Sequence, residues 1–326
     1  MILVVGGLNG FIGSNTTEAL VDQGQDCVVT RHENAEVPGF LQKHIDHRRV
    51  LVESADSTSI ADLRKIGEKH KIDGIVNVAG GFASGEGPLR GLKGYFDMLD
   101  ATFRVAQEWK VKRVTFSSTG GMYLGLSGTV DEDHPIALQS MFPILAYQKI
   151  VEVAADQFAK KTGISTICAR LMGMFGPFDG ARLGLPARLV HAAVSGKPPS
   201  FEDVFFGNAD DAVDLLYIKD MTRAIALLQM AEKLQYDVYN IASGKATPNR
   251  ELVDAVKRVV PGFKVDLPPV VFHSHHFLSR TPSGYRRTQA SRRSSTLSQL
   301  FDTISTGSRR GTLSSSDPLT IQWVSS

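Results

Sequence analysis

Three glycines at intervals of three residues are the clearest chemical signal in the sequence. Gly7, Gly10 and Gly13 follow the apolar run ILVV and precede a stretch that predicts a helix. Glycine lets another molecule approach the main chain closely. The first turn of a helix offers unpaired N–H groups and the positive end of the helix dipole. We therefore expect this turn, with Phe11 and Ile12, to hold the diphosphate of a dinucleotide.

The end of the next apolar run bears on which dinucleotide is bound. It reads Thr30, Arg31, His32, and the first acidic residue is Glu33. A carboxylate at this point accepts hydrogen bonds from the ribose of NAD, whereas an arginine accommodates the extra phosphate of NADP. Arg31 therefore favours NADP over NAD. The alternative is that Arg31 covers the adenine by stacking.

The elements that must position these residues follow an alternating pattern up to about residue 265. Short β-branched runs, namely ILVV, DCVVT, GIVNVA, RVTFSS and STICARL, alternate with amphipathic stretches. Alternating strands and helices predict an α/β fold, a doubly wound, Rossmann-like parallel sheet with helices on both faces. Helices are predicted at 14–23, 60–70, 92–109, 143–161 and 250–259.

Composition sets limits on the class of protein. The chain has 326 residues, 42% of them hydrophobic, and a net charge of +2. We expect no leader ahead of the first strand, and no window is apolar enough for a membrane span. Cys27 and Cys168, too few for a disulfide framework, fit a reducing compartment. We expect a cytoplasmic, soluble protein that binds a small molecule and neither nucleic acid nor membrane.

The last part of the chain differs from the rest. Residues 272–326 are rich in Ser, Thr and Arg and lack periodicity. This composition predicts a poorly ordered, solvated tail, or a C-terminus whose reading frame has departed from the ancestral one. His273, His275 and His276 lie in this tail, where surface positions are a simpler interpretation than a metal site.

Several further motifs then occur in a fixed order, and together with the glycines they resemble the extended short-chain dehydrogenase/reductase family of NAD-dependent epimerases and dehydratases. The motifs are VVGGLNGFIG, NVAGG, FSSTGGMYLG, EDHP, ARLMGMFGP, YIKD and NIASG. The resemblance implies that Asp56 contacts adenine and that Ala79 and Gly80 line the cofactor. It covers residues 1 to about 260.

The resemblance also implies an acid/base pair that this sequence does not have. In the family, a Tyr handles the proton and a Lys four residues later, on the same helix face, lowers its pKa and binds the nicotinamide ribose. Lys149 takes the Lys position, but Leu145 stands where the Tyr belongs. Moving the alignment by one residue, so that Glu152 meets the family's acid, puts Ile144 there instead. Tyr147 lies about 200° from Lys149 around a helix and faces away.

The rest of the implied active site is partly retained. Thr119 occupies the position of the family's substrate-orienting Ser or Thr, and Tyr123, water or the substrate is left to handle the proton. Val213 replaces an Arg that grips nucleotide-sugar diphosphates, so we expect another, smaller substrate. We predict an NAD(P)-dependent oxidoreductase or epimerase/dehydratase-type enzyme acting on a small carbonyl or hydroxyl compound. The alternative is a cofactor-binding sensor or scaffold without turnover.

The resemblance finally implies an organisation for the chain. We expect one domain over 1–271, in which about 177–212 and 245–271 form a small C-terminal substrate lobe. Residues 272–326 would be the tail. Family members frequently pair through two long helices, which predicts a homodimer.

Overall fold

The strands of this computed structural model are short and mostly β-branched. The structure describes residues 1–268 and 277–279, apart from 9, 33–35, 81–89, 125, 127, 141, 181–183, 202–203 and 205–206. The strands described are β1 (Ile2–Val5), β2 (Cys27–Arg31), β3 (Val50–Ser54), β4 (Gly74–Asn77), β5 (Arg113–Thr119), β6 (Gly128–Val130), β7 (Ser165–Leu171), β8 (Gly173–Phe175), β9 (Ala212–Tyr217), β10 (Val238–Ile241), β11 (Ala246–Pro248) and β12 (Phe277–Ser279).

Helices follow most of the strands. They are α1 (Phe11–Asp22), α2 (Gly39–Asp46), α3 (Ile60–Lys69), α4 (Arg90–Glu108), α5 (Pro143–Thr162), α6 (Leu185–Ser195), α7 (Ile218–Met230) and α8 (Asn249–Val259), with a 3-10 turn at Gly120–Tyr123. The five predicted helices are all present, and α1 begins three residues earlier than predicted. The sequence pattern gave no prediction for α2, α6 and α7.

Seven of these strands form one fully parallel sheet, in the order β10-β7-β5-β4-β1-β2-β3. The order reverses between β1 and β4, since the chain moves outward through β2 and β3 and then returns to pair β4 with β1. In an open parallel sheet such a reversal opens a crevice at the carboxyl ends of the strands, where ligands bind. The predicted doubly wound α/β fold is confirmed.

Each face of this sheet carries its own apolar core. Val4, Ile167 and Met221 are among the buried residues of the face covered by α1 and α7. Leu3, Ile75 and Val105 belong to the other face, which α3, α4 and α5 cover. Strands buried on both sides read as continuous apolar runs, as ILVV does.

A second, smaller sheet lies beyond the carboxyl ends of the main one. Its order is β11-β9-β8, with β8 parallel and β11 antiparallel to β9. An apolar cluster around Leu189, Leu252 and Val256 joins this sheet to α6 and α8. The boundaries proposed for the substrate lobe run through these elements and stay a prediction.

Little of the tail belongs to the described residues. β12 pairs in parallel with β6, while the three tail histidines lie outside the described part of the chain. Among the residues that the structure does describe, no cluster of three potential metal ligands occurs, and no helix is long and apolar enough to cross a membrane. Cys27 and Cys168 are buried free thiols.

Candidate active site

The glycine turn joins β1 to α1 at the point where the strand order reverses. Gly6 has a φ of +78°, a conformation that favours glycine. A Cβ on Gly13 would lie 1.9 Å from the Gly6 carbonyl oxygen, and one on Gly7 would lie 2.8 Å from the Val4 side chain. Glycine is therefore required at Gly13 and Gly7 so that α1 can start directly against the end of β1.

The N-terminus of α1 is open toward the crevice. Gly10 is the N-cap residue, and no side chain caps the first turn. The first helical hydrogen bond runs from the Ser14 N–H to the Gly10 carbonyl at 2.9 Å, so the amides of Phe11, Ile12 and Gly13 have no helical acceptor. An uncapped helix start without acidic residues suits an anionic group, and the residues present fit a dinucleotide diphosphate.

Two side chains that were not predicted as site residues fix the backbone here, Thr30 at the glycine turn and Asn77 in the segment after β4. The Gly6 N–H donates to Thr30 Oγ1 at 2.8 Å. Asn77 Oδ1 accepts from the Ala79 N–H at 3.1 Å, and its Nδ2 donates to Thr102 Oγ1 at 2.9 Å. Thr30 and Asn77 are buried polar residues near the ends of β2 and β4, the two strands that flank β1. A buried polar residue at a strand end was the available signal.

The predicted adenine-side residues lie at the ends of β2 and β3. Arg31 pairs in register with Ser54, and its Nη2 donates to Ser54 Oγ at 3.4 Å, while its buried Nε has no partner. Asp56 follows β3, is exposed, and accepts from the Thr58 N–H and hydroxyl at 2.8 Å. Both side chains lie on the β2–β3 side of the crevice, and their roles stay predictions.

On the β4 side of the crevice, the predicted cofactor residues Ala79 and Gly80 follow the strand, and Gly80 lies near α4. Ala79 is half-buried and Gly80 is exposed. The Tyr95 hydroxyl of α4 lies 3.7 Å from the position a Cβ would take on Gly80. Tyr95 is buried, which raises the pKa of its hydroxyl to about 12. Sequence reasoning did not single out Tyr95.

Thr119 ends β5 at the edge of the crevice. Its Oγ1 accepts from the Gly121 N–H at 3.0 Å and so caps the 3-10 turn. The hydroxyl proton of Thr119 is not used in that bond, so the hydroxyl can still donate to another acceptor. This arrangement suits a group that orients a substrate oxygen.

Leu145 lies against this same turn. A Cβ on Gly121 would meet Leu145 Cδ2 at 2.7 Å and Thr119 Oγ1 at 3.2 Å, so the Leu145 side chain packs where Thr119 and Gly121 meet. Leu145 is 6% exposed. An aliphatic side chain therefore fills the space beside the candidate substrate-orienting hydroxyl. Tyr147 packs on Tyr95, with ring centroids 4.9 Å apart, and faces the core.

Lys149 is held by a loop. Its Nζ donates to the carbonyls of Ala137 and of Gln139, the latter at 2.8 Å, and to Ser140 Oγ at 3.1 Å. Burial lowers the pKa of Lys149. These contacts hold the ammonium on the loop 137–140, and the ribose contact predicted for Lys149 remains a prediction that they do not favour.

Behind β5, a buried ion pair ties α5 to β7. Arg170 donates to both carboxylate oxygens of Glu152, at 2.9 and 2.7 Å, and the Ser118 hydroxyl donates to the same carboxylate at 2.6 Å. The Arg170 and Glu152 side chains are 5% and 12% exposed. This network fixes how α5 is rotated against the sheet.

Tyr123 belongs to that network. It is fully buried, donates to Asn240 Oδ1 at 2.8 Å, and accepts from Arg170 Nη1. Burial raises the pKa of its hydroxyl, against the opposing effect of Arg170. Its role as a proton donor stays a prediction, and its contacts are those of a structural residue.

Together, these features define a class. A doubly wound parallel sheet whose glycine turn opens a helix at the strand-order reversal is a dinucleotide-binding α/β protein. Residues 2–242 match the model of the NAD dependent epimerase/dehydratase family. The chain belongs to this family and is an enzyme of the epimerase/dehydratase type.

Known proteins resemble the chain over most of its length. It is 24% identical over 280 residues to the UDP-glucose 4-epimerase of Bacillus subtilis, which covers 79% of this chain and 81% of that protein. The structure is similar to dTDP-glucose 4,6-dehydratase from Bacillus anthracis in complex with NAD, with a TM-score of 0.77, 20% identity and coverage of 95% and 97%. It is similar to UDP-glucuronic acid 4-epimerase from Bacillus cereus in complex with UDP-glucuronic acid and NAD, with a TM-score of 0.75, 20% identity and coverage of 94% and 99%.

Proposed function

We propose that the chain binds NAD(P) in the crevice and moves hydride between the nicotinamide and a carbonyl or carbinol carbon of a small substrate. The observation that carries this proposal is the open N-terminus of α1 beside the β1–β4 reversal, where a Cβ on Gly13 would strike the Gly6 carbonyl oxygen. The cofactor supplies the hydride acceptor or donor when it is bound.

The chain's own residues would position the reactants. The uncapped amides of Phe11, Ile12 and Gly13 would bind the diphosphate. Thr119 would donate its free hydroxyl proton to the substrate oxygen, since Gly121 N–H already occupies its acceptor side. With Leu145 at the place of a tyrosine, water or the substrate would carry the proton. A positioned acid/base contributes about 10² to 10⁴ in rate, so we expect slow turnover.

The substrate is proposed to be smaller than a nucleotide sugar. The similar proteins are named as nucleotide-sugar enzymes, and the family resemblance implies an Arg that binds the diphosphate of such substrates. Val213 stands in register with Thr247 and packs into the apolar cluster of the second sheet. An aliphatic side chain at this position offers no diphosphate contact.

NADP is proposed as the preferred cofactor. The similar structures contain NAD, but here the end of β2 presents Arg31. Among the described residues, its buried Nε has no partner and its Nη2 contacts Ser54. A phosphate on the adenosine ribose would give this guanidinium a charged acceptor.

We also propose a homodimer in the cytoplasm, formed through the outer faces of α4 and α5. Phe96 of α4 is 50% exposed and Val153 of α5 is 66% exposed, and the two helices pack side by side. Light scattering on the wild type and on Val153→Glu tests this assembly. A monomeric wild type would contradict it.

The function is tested with the purified chain. Calorimetric titration with NADPH and NADH, followed by absorbance at the nicotinamide band with a panel of carbonyl compounds and UDP-glucose, should give binding and slow oxidation of NADPH by a small carbonyl. Binding without oxidation of any compound would instead support the cofactor sensor. Absence of binding would overturn both functions.

A further inference from the structure

Two neighbouring side chains of α5 could reach the cofactor, and their surroundings differ. Lys149 has three acceptors around its Nζ, namely two carbonyls and one hydroxyl of the loop 137–140. An ammonium has three N–H donors, so this loop satisfies all of them. Lys149 thus has no donor left for a ligand in this arrangement.

Gln148 is in the opposite situation. Its side chain is 9% exposed, and its Oε1 is buried without a hydrogen-bond partner. Buried polar atoms are normally paired, because an unpaired acceptor loses its bond to water without replacement. An unpaired amide oxygen at this depth indicates a missing hydrogen-bond donor.

The position of Gln148 places that donor at the β4 side of the crevice. The Gln148 side chain hydrogen-bonds the Tyr95 hydroxyl, and this bond lowers the pKa of Tyr95 against the larger raising effect of burial. That hydroxyl in turn lies 3.7 Å from the site of a Cβ on Gly80, directly after β4. Gln148 therefore faces the segment that should line the cofactor.

The buried ion pair gives an independent reason for this orientation. Glu152 is one helical turn after Gln148 and points to Arg170 and Ser118, at the carboxyl ends of β7 and β5. Residues four apart share one helix face. The stripe of Ile144, Gln148 and Glu152 is thus turned toward the carboxyl ends of these strands, next to Leu145, which packs on Thr119. Lys149 lies about 100° away from Gln148 around the helix.

We propose that Gln148, and not Lys149, is the α5 residue that contacts the cofactor, with its Oε1 accepting a hydrogen bond from a hydroxyl of the nicotinamide-side ribose. This inference rests on the proposed function. A neutral amide can bind a ribose but does not favour a phenolate as an ammonium does. The stripe that holds Ile144 and Gln148 therefore binds the cofactor and lacks an acid/base pair.

The test compares two substitutions of similar length in adjacent residues, Gln148→Met and Lys149→Met. Calorimetric titration of each variant with NADPH and NADH should show about tenfold weaker binding for Gln148→Met, the loss expected for one hydrogen bond. Lys149→Met should stay within about twofold of the wild type. Methionine keeps the buried volume, so the thermal midpoint of Gln148→Met should not fall.

The opposite pattern overturns the inference. A tenfold loss in Lys149→Met with unchanged affinity in Gln148→Met would assign the contact to Lys149. A Gln148→Met variant with altered thermal stability and wild-type affinity would make Gln148 a packing residue. A wild type that binds neither dinucleotide would overturn the proposed function itself, whereas binding that is lost in Gly10→Val but kept in Gln148→Met would overturn this inference alone.

Discussion

The two halves of the crevice are built by different means. The cofactor half, formed by β1, α1, β2 and β4, uses main-chain geometry: Gly6 adopts a positive φ, and Gly13 leaves no room for a side chain. The catalytic half, formed by β5, the 3-10 turn and α5, depends on side chains. There Leu145 fills the space beside Thr119, and Lys149 is bound to a loop.

The comparison shows which part of such a site tolerates change. Main-chain binding of a diphosphate needs glycines at fixed points, because any Cβ would strike the backbone. A catalytic side chain can be replaced by another of similar volume without loss of the fold, since the buried Arg170–Glu152 pair holds α5 in place independently of it. We therefore expect substitutions to affect cofactor binding and catalysis separately in this protein.

The largest effect is expected on the free energy of unfolding, when the buried Arg170–Glu152 pair of the catalytic half is broken. Arg170→Met leaves the Glu152 carboxylate buried without its partner, which should lower the free energy of unfolding by about 3–5 kcal/mol. Urea denaturation measures this change. Arg104→Met is the matched control, because Arg104 and Asp100 are 59% and 58% exposed, and it should cost less than about 1 kcal/mol. Equal losses would mean that the pair does not fix α5.

Next comes the cofactor half. A Cβ on Gly10 would already lie 3.1 Å from the Gly6 carbonyl oxygen, and the methyl groups of Gly10→Val would occupy the diphosphate space. Cofactor affinity should fall at least about 100-fold, which is about 2.7 kcal/mol. Gly39→Ala, where a Cβ meets nothing within 4 Å, should leave affinity unchanged. Titration with NADPH measures both affinities. Wild-type affinity in Gly10→Val would contradict the assignment of this turn to the diphosphate.

A smaller and selective effect is expected for Arg31→Ala. Loss of a charge-assisted contact to the 2′-phosphate is worth roughly 1.5–3 kcal/mol. NADPH should therefore bind about tenfold to a hundredfold more weakly, with little change for NADH. Titrating both cofactors provides the internal control. Equal losses for the two would show that Arg31 stacks on adenine or supports the structure.

The smallest effect is a gain in the catalytic half. Ile144→Tyr with Gln148→Lys would place a phenol and an ammonium four residues apart on the stripe that ends in Glu152. NADPH oxidation should rise at least about tenfold on a carbonyl that the wild type reduces slowly. The matched variant is Leu145→Tyr, which pairs with the native Lys149 but overpacks against Gly121 and should not gain activity. A gain in activity in Leu145→Tyr alone would show that Leu145 and Lys149, and not Ile144 and Gln148, face the substrate.

Local chemistry made much of the fold predictable. The end of α5 was predicted to within one residue. This end was predictable because Lys160 and Lys161 are followed by Gly163, which adopts the left-handed conformation that commonly ends a helix. For α7 the local signal was present but no helix was predicted from it. Ile218, Met221, Ala224, Ile225 and Leu228 are all buried and recur every three or four residues, which is the spacing of one helix face.

For the site, the sequence by itself determined the glycine turn between β1 and α1 and the absence of a tyrosine four residues before Lys149. Both depend on spacing within one short segment. Only the tertiary structure decided which side of α5 faces the crevice. That choice depends on Glu152 meeting Arg170 on β7 and Ser118 on β5, and a one-residue rotation of the helix exchanges Lys149 for Gln148. Contacts between distant segments fix such a rotation, and no local pattern encodes it.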